Sequence, residues 1–169
     1  MSGERIETEI LAWIEQHYPD GPDWMDPDFD ALRSLPTEIR MIPIFSAIEY
    51  NIGNGGWSQF LWNCFGCWRE MLDVAEAGYS LIGADEQRQA LAHLREYCAR
   101  DEAECEEMLL EYSEENNTFA EFTRRSYLSF AKNEDTWQVC LTDSSAPRFS
   151  WLERNEPLVR RLLIAQRDA

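Results

Sequence analysis

Apolar residues in this chain recur with the spacing of an α-helix, and this periodicity limits the folds open to it. Near the amino terminus they line one helical face, which should end before Pro19 because a residue preceding proline avoids helical geometry. The members of this face are Ile6, Ile10, Trp13, Ile14 and His17. Similar faces recur along the 169 residues. The sequence therefore predicts an all-α fold, a single compact helical domain over 1–169, with one short strand-like segment near 136–142.

Prolines and glycines predict where the later helices begin and end. Pro36 suits the first turn of a second helix, and Pro43 should bend that helix. The run Gly53-Asn54-Gly55-Gly56 is expected to end it in a tight turn, because glycine and asparagine tolerate left-handed backbone geometry. Further expected boundaries are a restart at Trp57, turn residues at Gly78 and Gly83, an N-cap at Asp85 and a last helix opening at Asn155.

The charge of the chain is strongly negative. It holds 32 acidic against 15 basic residues, a formal net charge of −17. Binding to nucleic acid or to an anionic membrane needs a basic surface that can neutralise phosphate, so we expect neither. A basic protein partner fits this charge, and a dimer that tolerates strong self-repulsion remains open.

The chain also has the features of a cytoplasmic protein. Hydrophobic residues make up 44% of it, enough for a core. No apolar stretch approaches the roughly 20 residues that span a bilayer, and no secretory signal precedes the first helix. An odd number of cysteines, five, suggests a reducing compartment.

Chemical motifs are scarce, so we expect no catalytic residues, no cofactor and no metal. Cys64 and Cys67 form a C-x-x-C pair without the second pair of ligands that zinc needs, and buried structural thiols explain them better. No nucleophile, phosphate-binding or dinucleotide-binding signature is present. Buried carboxylates at Glu49 or Glu96 remain the candidates for acid–base chemistry.

Acidic residues concentrate in two stretches, which we take as the candidate partner-binding surface. Carboxylates three or four positions apart on a helix lie ~5–6 Å apart at Cβ, comparable with successive phosphates of one nucleic-acid strand. A solvated helix face is the alternative interpretation. The first stretch supplies Asp20, Asp23, Asp26, Asp28 and Asp30, and the second Glu102, Glu104, Glu106, Glu107, Glu111, Glu114 and Glu115.

One segment resembles the signature of a known bacterial family. Its matching residues are Glu49, Asn54, Gly55, Gly56, Trp57, Gln59, Phe60 and Asn63. This pattern is similar to that of a domain-of-unknown-function family typified by a DNA-mimic protein, with weaker similarity through Leu91. The resemblance implies an all-helical fold, a homodimer and an acidic surface that occupies the DNA-binding site of a regulator. From the residues themselves, the signature is structural, with Glu49, Gln59 and Asn63 expected to satisfy backbone groups around the glycine turn.

Together these features favour a non-enzymatic acidic protein. It would mimic DNA phosphates and sequester a DNA-binding protein, such as a helix-turn-helix regulator. The alternative is an immunity or antitoxin protein that neutralises a basic toxin or nuclease, and the third possibility is an enzyme that uses Glu49 or the cysteines. The acidic stretches serve either binding function equally well, so the residues leave this choice open.

Overall fold

The computed structural model describes residues 2–18, 32–64, 67–100 and 144–166, together with Glu107. The fold is an all-α compact domain, as the periodicity predicts. Its helices in these ranges are α1 (Gly3–His17), α2 (Thr37–Asn63), α3 (Trp68–Ile82), α4 (Asp85–Arg100) and α5 (Ser145–Ala165). No strand occurs among these described residues, and the strand-like segment predicted near 136–142 lies outside them. None of the described helices is long and apolar enough to cross a membrane.

Helix α1 presents its apolar face to α5. Ile6, Ile10 and Ile14 are buried on this face. The two helices approach so closely that a Cβ added at Gly3 would lie 2.3 Å from the carbonyl oxygen of Phe149. The helix ends at His17, before Pro19 as predicted.

Helix α2 is the longest of the described helices and contributes many residues to the core. Ile39, Phe45 and Phe60 are fully buried. The expectation that Gly53–Gly56 ends this helix is wrong, because α2 continues to Asn63. Gly56 has a φ of 71°. The glycine run therefore does contain a residue in left-handed geometry, but this residue lies within the helix rather than at its end. Buried apolar residues on both sides of the run explain the continuation, since packing overrides weak local propensity.

Helix α3 packs along α2 through an aromatic stack. The rings of Phe45 and Tyr79 lie 4.3 Å apart at their centroids and are nearly parallel, at 6°. The prediction of Gly83 as a turn residue is confirmed, because it ends α3 with a φ of 76°. Gly78 is instead inside α3, where a Cβ would lie 2.6 Å from the ring of Phe45. Close helix contact, rather than a turn, explains glycine at that position.

The last two helices differ in how well the sequence located them. Helix α4 runs from Asp85 to Arg100, so Asp85 is its first helical residue rather than the N-cap that the sequence predicts. Helix α5 begins at Ser145, ten residues before the predicted opening at Asn155, and Pro157 lies inside it. Burial of Trp151 and other residues ahead of Pro157 ties that earlier part to the core. Tertiary packing therefore holds the helix across a proline that interrupts its backbone hydrogen bonds.

Candidate functional site

The candidate partner-binding residues lie almost wholly in segments that the structure does not describe. Of that set, Glu107 alone is described, and it is exposed. The residues outside the described ranges are Asp20, Asp23, Asp26, Asp28, Asp30, Glu102, Glu104, Glu106, Glu111, Glu114 and Glu115. What the described residues do establish is how charge is divided between the helices and the two acidic stretches.

The described ranges 2–18, 32–64, 67–100 and 144–166 form a helical frame that is close to electrically balanced. This frame contains 14 acidic and 11 basic residues, a net charge of −3. Residues 19–31 contain five acidic residues and no basic one, a net charge of −5. Residues 101–143 contain twelve acidic and three basic residues, a net charge of −9. Most of the excess negative charge of the protein is therefore in these two stretches.

Arginines on the frame pair with its acidic residues. Across α3 and α4, Arg95 contacts Asp73 at 2.5 Å and Glu76 at 3.3 Å. Further exposed or half-buried pairs among the described residues are Arg5–Glu9, Arg33–Glu70, Arg88–Asp85, Arg160–Glu9 and Arg160–Glu156. Hydrogen bonding to Arg160 lowers the pKa of Glu156. These pairs neutralise acids of the frame locally, which increases the contrast with the two acidic stretches.

Glu49 of the signature is half-buried and belongs to a cluster of charged groups where α1, α2 and α5 meet. Arg148 of α5 donates from Nη1 to Glu49 Oε1 at 3.0 Å and Oε2 at 3.2 Å. Its Nε donates to Glu7 Oε2 on α1 at 2.6 Å. The hydroxyl of Ser144, which is fully buried, donates to Glu49 and accepts from Arg148 Nη1 at 2.8 Å. One guanidinium thus joins three helices.

The electrostatics of this cluster keep its arginine charged. Burial disfavours the charged form of Arg148, but Glu49 and Glu7 outweigh it, so the pKa of Arg148 is raised. Burial also raises the pKa of Glu7, and the attraction of Arg148 offsets this only in part. Two carboxylates and a hydroxyl occupy the Nε and Nη1 donors, an arrangement suited to holding helices together.

The expected role of Glu49 at a glycine turn is therefore wrong, because its carboxylate reaches α5 instead. Asparagines do make the local contacts along α2. Asn51 and Asn54 donate to the carbonyl oxygens four residues earlier, each at 2.8 Å, and Asn63 donates to Asn51 Oδ1 at 2.8 Å. Gln59 is half-buried in the same helix. The signature thus stabilises an irregular helix and connects it to α5.

Sequence reasoning missed Glu7, Asn51, Ser144 and Arg148. A signal for the arginine was present, since Arg148 stands three and four positions before Trp151 and Leu152 and shares their helical face. A single charged residue on an apolar helix face predicts a buried partner of opposite charge, because burying an unpaired charge is costly. Which carboxylate would supply it could not be read from spacing, because Glu49 lies 99 residues away.

The cysteine pair has the features of structural thiols. Cys64 and Cys67 are both buried, and neither forms a disulfide. Burial, followed by the neighbouring Cys67, raises the pKa of Cys64 to about 12, so this thiol is protonated at neutral pH. Within the described part of the chain, no three His, Cys, Asp or Glu side chains form a group that could hold a metal ion.

A charged groove lies on α3 and α4. It has a volume of about 350 Å³ and is lined by Asp73, Glu76, Ala77, Ser80 and Arg88. Its carboxylates include the two that pair with Arg95, so the groove belongs to the network of ion pairs on the frame.

Comparison with known proteins places the chain in a family. The model of the family described as DMP19-like protein matches residues 33–144, about two thirds of the chain. The matched region contains the signature in α2, all of residues 101–143, and Ser144 of the charged cluster. Neither the curated proteins nor the solved structures gave a match. On the strength of the family match, the chain belongs to the DMP19-like protein family.

Proposed function

We propose that this protein is a non-enzymatic acidic binding protein that mimics the phosphates of DNA. It sequesters a DNA-binding protein, most simply a helix-turn-helix regulator. The observation that carries the proposal is the division of charge: residues 19–31 and 101–143 hold net charges of −5 and −9, whereas the helical frame holds −3. Membership of the DMP19-like family is compatible with this function.

Charge separation of this kind suits a phosphate mimic. The basic surface of a DNA-binding protein is attracted to a dense array of negative charge, and acids already paired with arginine contribute little to that array. The acids of residues 102–115 recur at intervals that give ~5–6 Å between Cβ atoms on a helix. They supply the phosphate surrogates, joined by the acids of residues 20–30.

A homodimer extends the array across a complete operator. Half-sites of a dimeric helix-turn-helix protein are separated by about 34–36 Å. Two copies of the acidic stretch present two such surfaces to one dimeric partner. Affinity for this partner depends on salt, because the contacts replace those that the partner makes with DNA phosphates.

The test compares two variants with the same change in net charge. One replaces Glu104, Glu107, Glu111 and Glu115 of the acidic stretch with Gln, which keeps side-chain size and nearly keeps helix propensity. The matched control replaces four acids of the frame, Glu4, Glu15, Glu38 and Glu86, with Gln. Both variants and the wild type are immobilised to capture proteins from host lysate, eluted by rising salt and identified by mass spectrometry.

The proposal predicts that a DNA-binding protein is captured by the wild type and by the frame variant. The stretch variant should release it at lower salt, although its circular dichroism remains that of a folded helical protein. Equal retention by the two variants would show that the acids of residues 104–115 are only a solvated face. Capture of a basic toxin that DNA does not displace would support an immunity function instead.

A further inference from the structure

The part of α2 that follows Glu49 has no charged side chain, although 28% of the residues of the protein are charged. Residues 50–68 contain no Asp, Glu, Lys or Arg, and no other part of the sequence runs as far without one. Glu49 itself, just before this run, directs its carboxylate to Arg148 of α5. The later part of α2 is therefore neutral in a protein with a net charge of −17.

One face of this neutral part is open to solvent. Tyr50, Gly53 and Asn54 are exposed, and their spacing places them side by side on the helix. Tyr50 is 69% exposed, more than any other large hydrophobic residue in the described part of the chain. The amide of Asn54 donates to the carbonyl oxygen of Tyr50 at 2.8 Å, so this side chain folds back onto its own helix. The ring of Tyr50 therefore projects from a face that is otherwise low.

Gly53 has no explanation within its own chain. Its backbone does not have the positive φ that favours glycine, and a Cβ there would meet nothing within 4 Å. Glycine in the interior of a helix is less favourable than alanine, because it loses more backbone entropy on folding. A close approach by another molecule would explain why this position has no side chain.

The projecting ring and the gap beside it make this face complementary to itself. In a contact with two-fold symmetry, residue i of one copy meets residue j of the other, and j meets i. Two α2 helices that cross antiparallel about such an axis bring Tyr50 of each copy to Gly53 of the other. Buried aromatic side chains commonly supply much of the affinity of an interface.

Charge favours the same occupant. Each copy has a net charge of −17, so two copies repel each other wherever their acidic surfaces meet. A contact centred on residues 50–54 avoids this cost, because that segment has no charged side chain. A basic DNA-binding protein, in contrast, would gain no electrostatic attraction from a neutral face.

We propose that the exposed face of Tyr50, Gly53 and Asn54 on α2 is the surface at which two copies of this chain meet, with the ring of each Tyr50 seated over Gly53 of the other. The inference deepens the proposed function, on which it rests for the expectation of a homodimer. It assigns self-association to the signature helix and leaves the acidic residues to the other partner.

Sedimentation velocity of the purified full-length protein over a series of concentrations tests this surface. Gly53→Glu places an acidic side chain on each side of the contact, where the open space and ordinary φ let the helix accept it. Gln89→Glu is the matched control, because it adds the same charge at an exposed position of α4. Circular dichroism checks that both variants keep the helical fold.

The inference predicts a wild type that dimerises as its concentration rises. Gly53→Glu should raise the dissociation constant of the dimer at least about tenfold, whereas Gln89→Glu should leave it near the wild-type value. Raising the salt from about 0.1 to 1 M shortens the Debye length from about 10 to 3 Å. Dimerisation of the wild type should therefore strengthen with salt, in contrast to binding of a basic partner.

A mixture of two variants tests the pairing itself. Tyr50→Glu and Gly53→Lys should each dimerise poorly alone. Mixed in equal amounts, they should form a heterodimer, because one contact then joins the new Glu to the new Lys and the other keeps Tyr50 against Gly53. Absence of a heterodimer in this mixture would contradict the antiparallel crossing.

Two further results would overturn the inference. One is a wild type that stays monomeric at every concentration and salt, and the other is equal dissociation constants for Gly53→Glu and Gln89→Glu. No DNA-binding protein is present in these measurements. A monomer that still captures such a protein would therefore refute the surface on α2 alone, whereas a dimer through α2 that captures none would refute the proposed function alone.

Discussion

At the scale of single residues, the buried guanidinium of Arg148 is the most consequential group in the described structure. Its side chain is 7% exposed and lies between Glu7 and Glu49. Removing such a group from water costs several kcal/mol, and only complete pairing recovers that cost. The cluster is therefore sensitive to the loss of any one member, because the remaining charges stay in place without their partner.

Replacing Arg148 with Met should lower the free energy of unfolding by about 3–5 kcal/mol, because Glu7 and Glu49 are left near each other without a counter-charge. Urea unfolding followed by circular dichroism measures this loss. Arg154→Met is the matched control, since Arg154 is exposed on the same helix and should change stability by no more than about 0.5 kcal/mol. A similar, small loss in both variants would mean that the cluster contributes little.

The free energy of unfolding should depend on pH through the ionisation of Glu7. Its pKa in the folded protein is raised above the ordinary value of 4.5, chiefly by burial, so the folded state holds this proton to higher pH than the unfolded chain does. The contribution of Glu7 is thus fully present below pH 4.5 and is lost as pH rises through the raised pKa. The stability of the wild type relative to Glu7→Gln should therefore fall across this window.

Urea unfolding of both proteins at a series of pH values above 4.5 measures this difference. Because the two proteins share all other titrating groups, the contributions of those groups to the pH dependence cancel in the comparison. If the wild type instead gains stability over Glu7→Gln as pH rises, then the attraction of Arg148 for the ionised Glu7 outweighs the cost of burial.

At the scale of secondary-structure elements, the glycines of α2 differ in what they do. Gly56 has a φ of 71°, and a side chain in that conformation costs about 1–2 kcal/mol. Gly53 lies in the same helix without positive φ, and a Cβ there would meet nothing within 4 Å. Gly56 is therefore required by the backbone, whereas Gly53 is not.

Gly56→Ala should accordingly lower the free energy of unfolding by about 1–2 kcal/mol. Gly53→Ala should raise it by about 0.5–1 kcal/mol, because alanine loses less backbone entropy in a helix. Thermal unfolding of the two variants beside the wild type measures both changes. Stabilisation by alanine at both positions would show that α2 is regular at Gly56.

The limits of sequence reasoning are visible in these same elements. Periodicity located α1, whose apolar face ends before Pro19, and the capping residue type at Asp85 located the start of α4 to within one residue. It failed where tertiary contacts outweigh a local breaker, as at Gly53–Gly56 in α2 and Pro157 in α5. The signature residue Glu49 was found, but its contact with Arg148 joins positions 99 residues apart and has no local pattern.

At the scale of the whole molecule, most of the net negative charge is carried by residues 19–31 and 101–143 rather than by the helical frame. A net charge of −17 spread evenly would oppose a compact fold through self-repulsion. Here the helical frame has a net charge of −3, and several of its acids are paired with arginines across α3–α4 and α1–α5. The frame therefore carries little of the net charge, and residues 19–31 and 101–143 carry the charge that the proposed basic partner would recognise.

Mutual exclusion between this protein and DNA tests the central claim of DNA mimicry most directly. The DNA-binding partner recovered from lysate is mixed with its labelled DNA site, and the protein is titrated in while fluorescence anisotropy follows release of the DNA. Mimicry predicts complete release, no complex that contains all three molecules, and weaker competition as salt rises. A stable complex of the partner with both the protein and DNA would contradict the account.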